Sequence, residues 1–469
     1  MTNYKILQAI TATALVLGCG WTPAWAAGPE ALGLDKCLEL ARQNNSQVAR
    51  TGVAQDWEKE KVNAALRRFF PRVDVDLAHQ PKVDYFGRQI EDSDIYSSEV
   101  KLTQPIYAGG GLTARHDQAK EGMAKVNLLE AKAGMETARE VVPSYYRLLA
   151  SREVVRLGRD LAEPARELVE AARRGVRDGY QRVEDLLAAE ARLLEVSYQT
   201  ADSESQARTS ALKLKELMGL EPERALSLKP QRPDYQPPAQ ADAILNLAYR
   251  RNAGLLYAQS EDRYQSLGLA SAQSFSWPRL NLIGRYGYEG LDFPGDDKYA
   301  GVMLQCDVNF GDVSAKAYAD MEHQFENDTA FYYEQKDLYR KGLRLSFLDG
   351  NSPDVSIAEA RLNRRKAHDD VRETKQRLAT DVLTLLEELQ RQGQLLDLAN
   401  KQSELYGERL RVVRAKFEAG AATPAEVLER EVDLVQARTK AVQARYERWR
   451  VLALLCLLSG QELKCLDAS

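Results

Sequence analysis

The chain repeats itself, and the repeat limits what it can fold into. The segment from Gly179 to Glu190 leads on to Gly219, and the segment from Gly420 to Glu431 leads on to Gly460, at one offset of 241 residues that also carries Gly109 onto Gly350. Nearer the start of each half, residues 35–71 match 242–278 at an offset of 207. That match pairs Leu40 and Ala41 with Leu247 and Ala248, Asn45 with Asn252, and Phe70, Pro71 and Arg72 with Trp277, Pro278 and Arg279. The difference between the offsets is an extra segment in the second half, between Pro278 and Gly350. A duplicated plan with fixed spacing requires each half to be the same supersecondary unit.

The unit reads as a helix, two short strands, a long helix, a turn and another helix. Leu378, Val382, Leu385, Leu389, Leu396 and Ala399 begin a series that continues through Ser403, Tyr406, Leu410, Val413 and Phe417, with polar Gln392 in register. Alternating steps of three and four make this a heptad seam. Leu157, Leu161, Ala165, Leu168 and Ala172 form a similar seam in the first half, where Pro143 and Pro164 predict bends. As one helix, residues 111–177 span about 100 Å, and helices over 34–68 and 181–218 placed end to end match that length. A shaft with two short helices stacked beside each long one fits these lengths.

The turn between helices is a capped stop and restart. Gly420 ends one helix, Thr423 caps the next, Pro424 suits its first position and Glu426 completes a capping box. The first-half counterpart spans Gly179 to Glu184, with Gln181 as a weaker cap.

Short runs with period two lie between the helices. Val73, Val75 and Leu77 alternate with Asp74 and Asp76, while Val100 and Leu102 alternate with Glu99 and Lys101. Leu280, Leu282, Tyr286 and Tyr288 stand opposite Asn281, Arg285 and Glu289, and Leu343, Leu345 and Phe347 alternate with Arg344 and Ser346. One apolar and one charged face suits a lipid-facing wall around a watery lumen. Two hairpins give four strands, too few to close a barrel, and open edges cannot sit in lipid. Three chains would supply twelve. A four-stranded sheet capping a soluble bundle is the competing reading. In the extra segment near 300–340, residues 302–310 read as a strand and 312–339 as a polar, aromatic stretch. Either 302–310 is the barrel strand with the rest inserted below it, or the whole insertion is an enlarged outer loop. A miscount of one strand would reverse membrane sidedness.

The first 26 residues carry a lone Lys5, an apolar run and the small-residue site Ala24, Trp25, Ala26, which reads as a secretory signal. Val16, Leu17 and Gly18 before Cys19 offer an alternative, a lipoprotein signal acylated at Cys19. The parts are then a signal at 1–26, a first repeat at 27–219, a linker at 220–240, a second repeat at 241–460 and a tail at 461–469. Formal net charge is −5, so nothing points to nucleic acid. Cys37, Cys306, Cys456 and Cys465 match no metal spacing; Cys456 and Cys465 could bridge, or Cys456 could be a buried thiol. His79, His116, His323 and His368 are isolated, and Gly109, Gly110 and Gly111 lack the lysine of a phosphate loop. No catalytic, cofactor or metal site is expected. A transport channel and a non-channel periplasmic coiled-coil scaffold are the two functions left.

The plan resembles the outer membrane efflux protein family, the TolC-like outer membrane factors. The likeness rests on Leu40, Ala41 and Asn45, on the run from Phe70 to Val73, on the run from Leu102 to Gly110, and on the paired turns Gly179 to Leu187 and Gly420 to Leu428. It implies a mainly α-helical chain with a small transmembrane β-barrel, assembled as a homotrimeric α/β tunnel in the outer membrane above a periplasmic shaft. The barrel it implies has twelve strands. The implied function is passive export in a tripartite efflux or type I secretion system, with a periplasmic adaptor and an inner-membrane transporter as partners. It also assigns roles to the turns. Gly179, Tyr180, Arg182, Gly420, Thr423 and Pro424 become adaptor-contacting tips, and Asp185, Glu426 and Glu429 become rings of charge at the entrance. Glu426 is equally explained as a capping residue.

Overall fold

The computed structural model describes residues 31–80, 95–238, 240–290, 293, 297–325, 336–347 and 353–460. The expected signal, Cys19 and the tail with Cys465 lie outside the described residues, as does Gly350.

Each half begins with a broken helix. α1 (Leu34–Asn44) and α2 (Ser46–Arg67) in the first half correspond to α5 (Ala241–Arg251) and α6 (Ala253–Gln273) in the second. The single helix expected over 34–68 is therefore interrupted at Asn45. An asparagine at the break takes an extended conformation and caps the following helix: the Asn45 side chain accepts from the Gln47 N–H, and that of Asn252 from the Leu255 N–H.

The long helices are α3 (Gly111–Arg177) and α7 (Pro353–Glu418), of 67 and 66 residues, each about 100 Å at 1.5 Å per residue. Pro143 and Pro164 lie within a continuous α3. The helices α4 (Val183–Met218) and α8 (Pro424–Leu458) return along them. Both α2 and α4 lie beside α3, and both α6 and α8 lie beside α7, which is the stacking the lengths predict. α3 also packs on α6 and α8, joining the halves.

The largest core sits where the helices break. Leu34, Cys37 and Leu38 of α1 pack with Tyr145, Tyr146 and Leu148 of α3, Leu214 and Met218 of α4, and Val442 and Tyr446 of α8. An equivalent core joins Ile244, Leu255, Leu378, Val382, Val451 and Leu455. The segment after α4 is bound to this level rather than free. Leu32 bridges Leu228, Arg152 donates to the Leu226 carbonyl at 2.7 Å, and Tyr146 donates to that of Gln231 at 3.1 Å. Cys456 is disulfide-bonded.

Above the shaft is one antiparallel sheet in the order β1 (Arg72–Gln80), β2 (Ile95–Ala108), β3 (Arg279–Gly290), β4 (Asp297–Phe310), β5 (Val313–Phe325), β6 (Lys336–Phe347). The expected four strands are thus six among the described residues, and the twelve-strand count built on four does not hold. The extra segment is neither one strand with an insertion below it nor an outer loop. It holds the whole of β4 and β5, joined by the tight turn Gly311–Asp312, with Gly311 at φ 57°. Two added strands preserve direction, so β6 still delivers the chain to α7 on the shaft side.

The junction motif from Leu102 to Gly110 has a packing reason. Gln104 donates to the Phe69 carbonyl at 3.0 Å, and the register shifts between Pro105 and Tyr107. A Cβ on Gly109, at φ 59°, would lie 2.5 Å from Cβ of Trp277, the matching junction of the other half.

Candidate functional site at the paired hairpin tips

Both long helices end in the same hydrogen-bonded stop. At the second tip the Gly420 N–H bonds the Phe417 carbonyl at 2.9 Å and the Ala421 N–H bonds that of Lys416 at 2.7 Å. At the first tip the Gly179 N–H bonds Val176 at 3.2 Å and the Tyr180 N–H bonds Gly175 at 3.0 Å. This is a Schellman stop, with Gly179 and Gly420 left-handed at φ 84° and 75°.

The restarts differ. Thr423 accepts from the Glu426 N–H and Glu426 accepts from the Thr423 N–H, both at 3.2 Å, with Pro424 at the first helical position. The first-half restart begins at Arg182 rather than the expected Gln181, and no side chain caps it. Gln181 instead lies over Gly175. Asp185 is half-buried at the position equivalent to Glu426, with no capping hydroxyl to answer it.

The tips lie side by side. Leu428 and Val432 of α8 pack into Leu161, Ala165, Ala172 and Ala189 of the first hairpin. Glu429 lies 3.5 Å from Arg430, which also holds Asp433 at 2.9 Å. Across the gap on α4, the Arg192 guanidinium is held above its usual range chiefly by a hydrogen bond from Glu195, with Glu429 and Asp433 adding to it. The three expected entrance acids are therefore not equivalent. Glu426 is engaged in its cap, Glu429 faces a basic patch, and Asp185 sits on the other hairpin.

One feature escaped the sequence reading. Arg173 pairs with Glu190 at 2.8 Å and Arg414 with Glu431 at 2.5 Å, the same ion pair in both repeats, each tying the two helices of a hairpin just above its turn. Glu190 side-chain exposure is 36%, that of Glu431 only 6%, and one Glu431 oxygen is buried without a hydrogen-bond partner. Opposite charges at matching places on either side of both turns were the available signal.

The family model described as "Outer membrane efflux protein" matches residues 37–220 and 341–461. The chain belongs to that family. Like other outer membrane efflux proteins it is a passive channel of the outer membrane with a periplasmic helical shaft, and not an enzyme. Among the described residues no helix is long and apolar enough to cross a membrane. No curated protein sequence matches the chain.

Solved structures match its fold over nearly their whole length. The open state of the Neisseria gonorrhoeae MtrE outer membrane channel is 16% identical, with a TM-score of 0.70 over 93% of this chain and 91% of that one. VceC from Vibrio cholerae is 13% identical, with 0.69 over 91% and 96%. The Campylobacter jejuni CmeC channel is 13% identical, with 0.68 over 98% and 94%.

Proposed function

We propose that three copies of this chain close into one tunnel, which carries solutes or proteins outward from the periplasm without an energy source of its own. One observation supports this reading above the rest. The sheet has an even number of strands, one apolar face, one charged face and two open edges, β1 and β6. Such edges cannot remain unpaired in hydrocarbon, and neighbouring copies can satisfy them in antiparallel register. The shaft of a single copy also leaves large apolar side chains uncovered, on α4 (Leu187, Leu194, Tyr198) and on α7 (Leu398, Leu405, Val412). A three-fold assembly covers stripes of this kind.

In that assembly Gly179, Tyr180, Arg182, Gly420, Thr423 and Pro424 form the exposed end of the shaft and meet a periplasmic adaptor, which joins the channel to an inner-membrane transporter. Glu429, Asp185 and Glu426 form the acidic entrance. Glu429 is the strongest of the three, because Glu426 is already committed to its helix cap. Three copies of Glu429 concentrate negative charge on the axis, and their mutual repulsion favours a wider entrance or a bound cation.

Extraction in mild detergent, native mass determination and planar-bilayer recording test the proposal together. A conducting trimer is expected, with a Glu429→Gln form that loses cation preference. A detergent-independent monomer or dimer without conductance would overturn the channel and leave the coiled-coil scaffold.

A further inference from the structure

We infer that the inserted β4–β5 hairpin is part of the barrel wall, so that three copies build an eighteen-stranded barrel instead of a twelve-stranded one. The inference rests on the trimeric channel proposed above.

The first support is continuity of the two faces. Following Cα partners across the sheet, Val73, Leu102, Gly284, Val302, Met321 and Tyr339 form one unbroken apolar row through all six strands. Five of them are large side chains, and all five are exposed in the single chain. The neighbouring row, Asp74, Lys101, Arg285, Gly301, Glu322 and Leu338, lies on the opposite face and is mostly polar. A hairpin folded away from the wall would have no reason to keep this phase.

The second support is that the flanking strands are built to receive the insert. Tyr299 of β4 lies across Gly287 of β3, where a Cβ would meet the tyrosine ring at 2.6 Å, and its hydroxyl donates to Glu99 of β2 at 2.9 Å. Tyr318 of β5 lies across Gly342 of β6, where a Cβ would meet the ring at 2.3 Å. On the same polar face Asp320 and Glu322 of β5 are almost fully buried. Arg285 of β3 reaches them over Gly301 of β4, at 2.7 and 3.3 Å, and Arg340 of β6 reaches them from the other side, at 3.0 Å to Asp320 and in close contact with Glu322. Isolated, these two carboxylates would be costly to bury; paired with both flanking strands they clamp the insert in place.

The third support is the seat of the turn. Asn309 donates to the Phe275 carbonyl at 3.4 Å at the end of α6, and Gly311 faces Asp354 at the start of α7. The turn thus rests on the top of the shaft, between the two helices that an uninterrupted β3–β6 pair would connect.

Strand number sets the bore. With strands about 4.8 Å apart and tilted by about 40°, eighteen enclose a backbone cylinder about 36 Å across, against about 24 Å for twelve. The outer mouth then has more than twice the cross-section, and selection by size falls to the periplasmic tips.

Electron cryomicroscopy of the full-length trimer in lipid nanodiscs tests this directly. Eighteen strands, and a barrel about 1.5-fold wider than a twelve-stranded one, are expected. A trimer with twelve strands and the β4–β5 hairpin lying off the wall would overturn the inference while leaving the channel intact. Absence of a trimer would overturn both. As a second readout, excising residues 297–325 should leave β3 to pair with β6. An assembled variant of that kind should conduct less from the outer side, and unchanged access of large polymers to its outer mouth would count against a wider native barrel.

Discussion

Arg414 and Arg173 hold the same place in the two repeats, yet their partners differ in burial. Glu431 has little water to fall back on, whereas Glu190 is a third exposed. Arg414→Ala is therefore expected to destabilise the second hairpin by about 2 kcal/mol, because it strands a buried carboxylate. Arg173→Ala should leave stability nearly unchanged, since exposed pairs contribute little. Denaturation followed by a probe at each tip checks the contrast, and equal losses would refute it. Cys37 gives a pH-dependent case in the shaft. Burial, with Asp35 adding, pushes its thiol from 9.0 up to about 12. The unfolded chain thus sheds this proton between about pH 9 and 12 while the folded one keeps it, so stability falls as pH rises through that window. Cys37 should also resist alkylation at pH 8 until the protein unfolds, whereas brisk labelling of folded protein would contradict its burial.

At the scale of the element, the two tips form a natural comparison of caps. Thr423→Ala should cost α8 about 1 kcal/mol through the lost box. Arg182→Ser, which supplies the missing hydroxyl, should stabilise the start of α4 by a similar amount. Gly420→Ala should cost about 1 kcal/mol for left-handed backbone alone, since no atom lies within 4 Å of the added carbon. Hydrogen exchange at the first turns of α4 and α8 reads all three. These caps were legible because Gly, Thr, Pro and Glu each act within four residues, and the long helices because their seam persists for many turns. The strand β5 was not. Its lipid-side positions Ala315, Ala317 and Ala319 are too small to produce a strong period-two signal, and Lys316, Asp320 and Glu322 between them resemble a polar loop. The breaks at Asn45 and Asn252 were visible as repeated residues but not as interruptions, because a cap inside a helical pattern looks like one more polar position.

For the whole molecule, the glycine–tyrosine contacts make assembly testable. Gly342→Val should sharply reduce folded protein recovered from outer membranes, because its side chain occupies the space of the Tyr318 ring. Tyr318→Ala in the same chain should recover part of the loss, and failure to recover would point to a different cause. The tips and the shaft were readable one repeat at a time, but the Arg285, Asp320, Glu322 and Arg340 clamp joins three strands and had no local signature. The core at the helix breaks carries one more consequence, for the order in which the molecule can be completed. The first helix, α1, shares its packing with Val442, Tyr446 and Leu457 of the last. A chain threaded across a membrane from its amino end delivers α1 first, yet the pocket for Leu34 and Leu38 closes only when the final helix arrives. The earliest segment to emerge must wait, shielded or unfolded, for nearly the whole of synthesis.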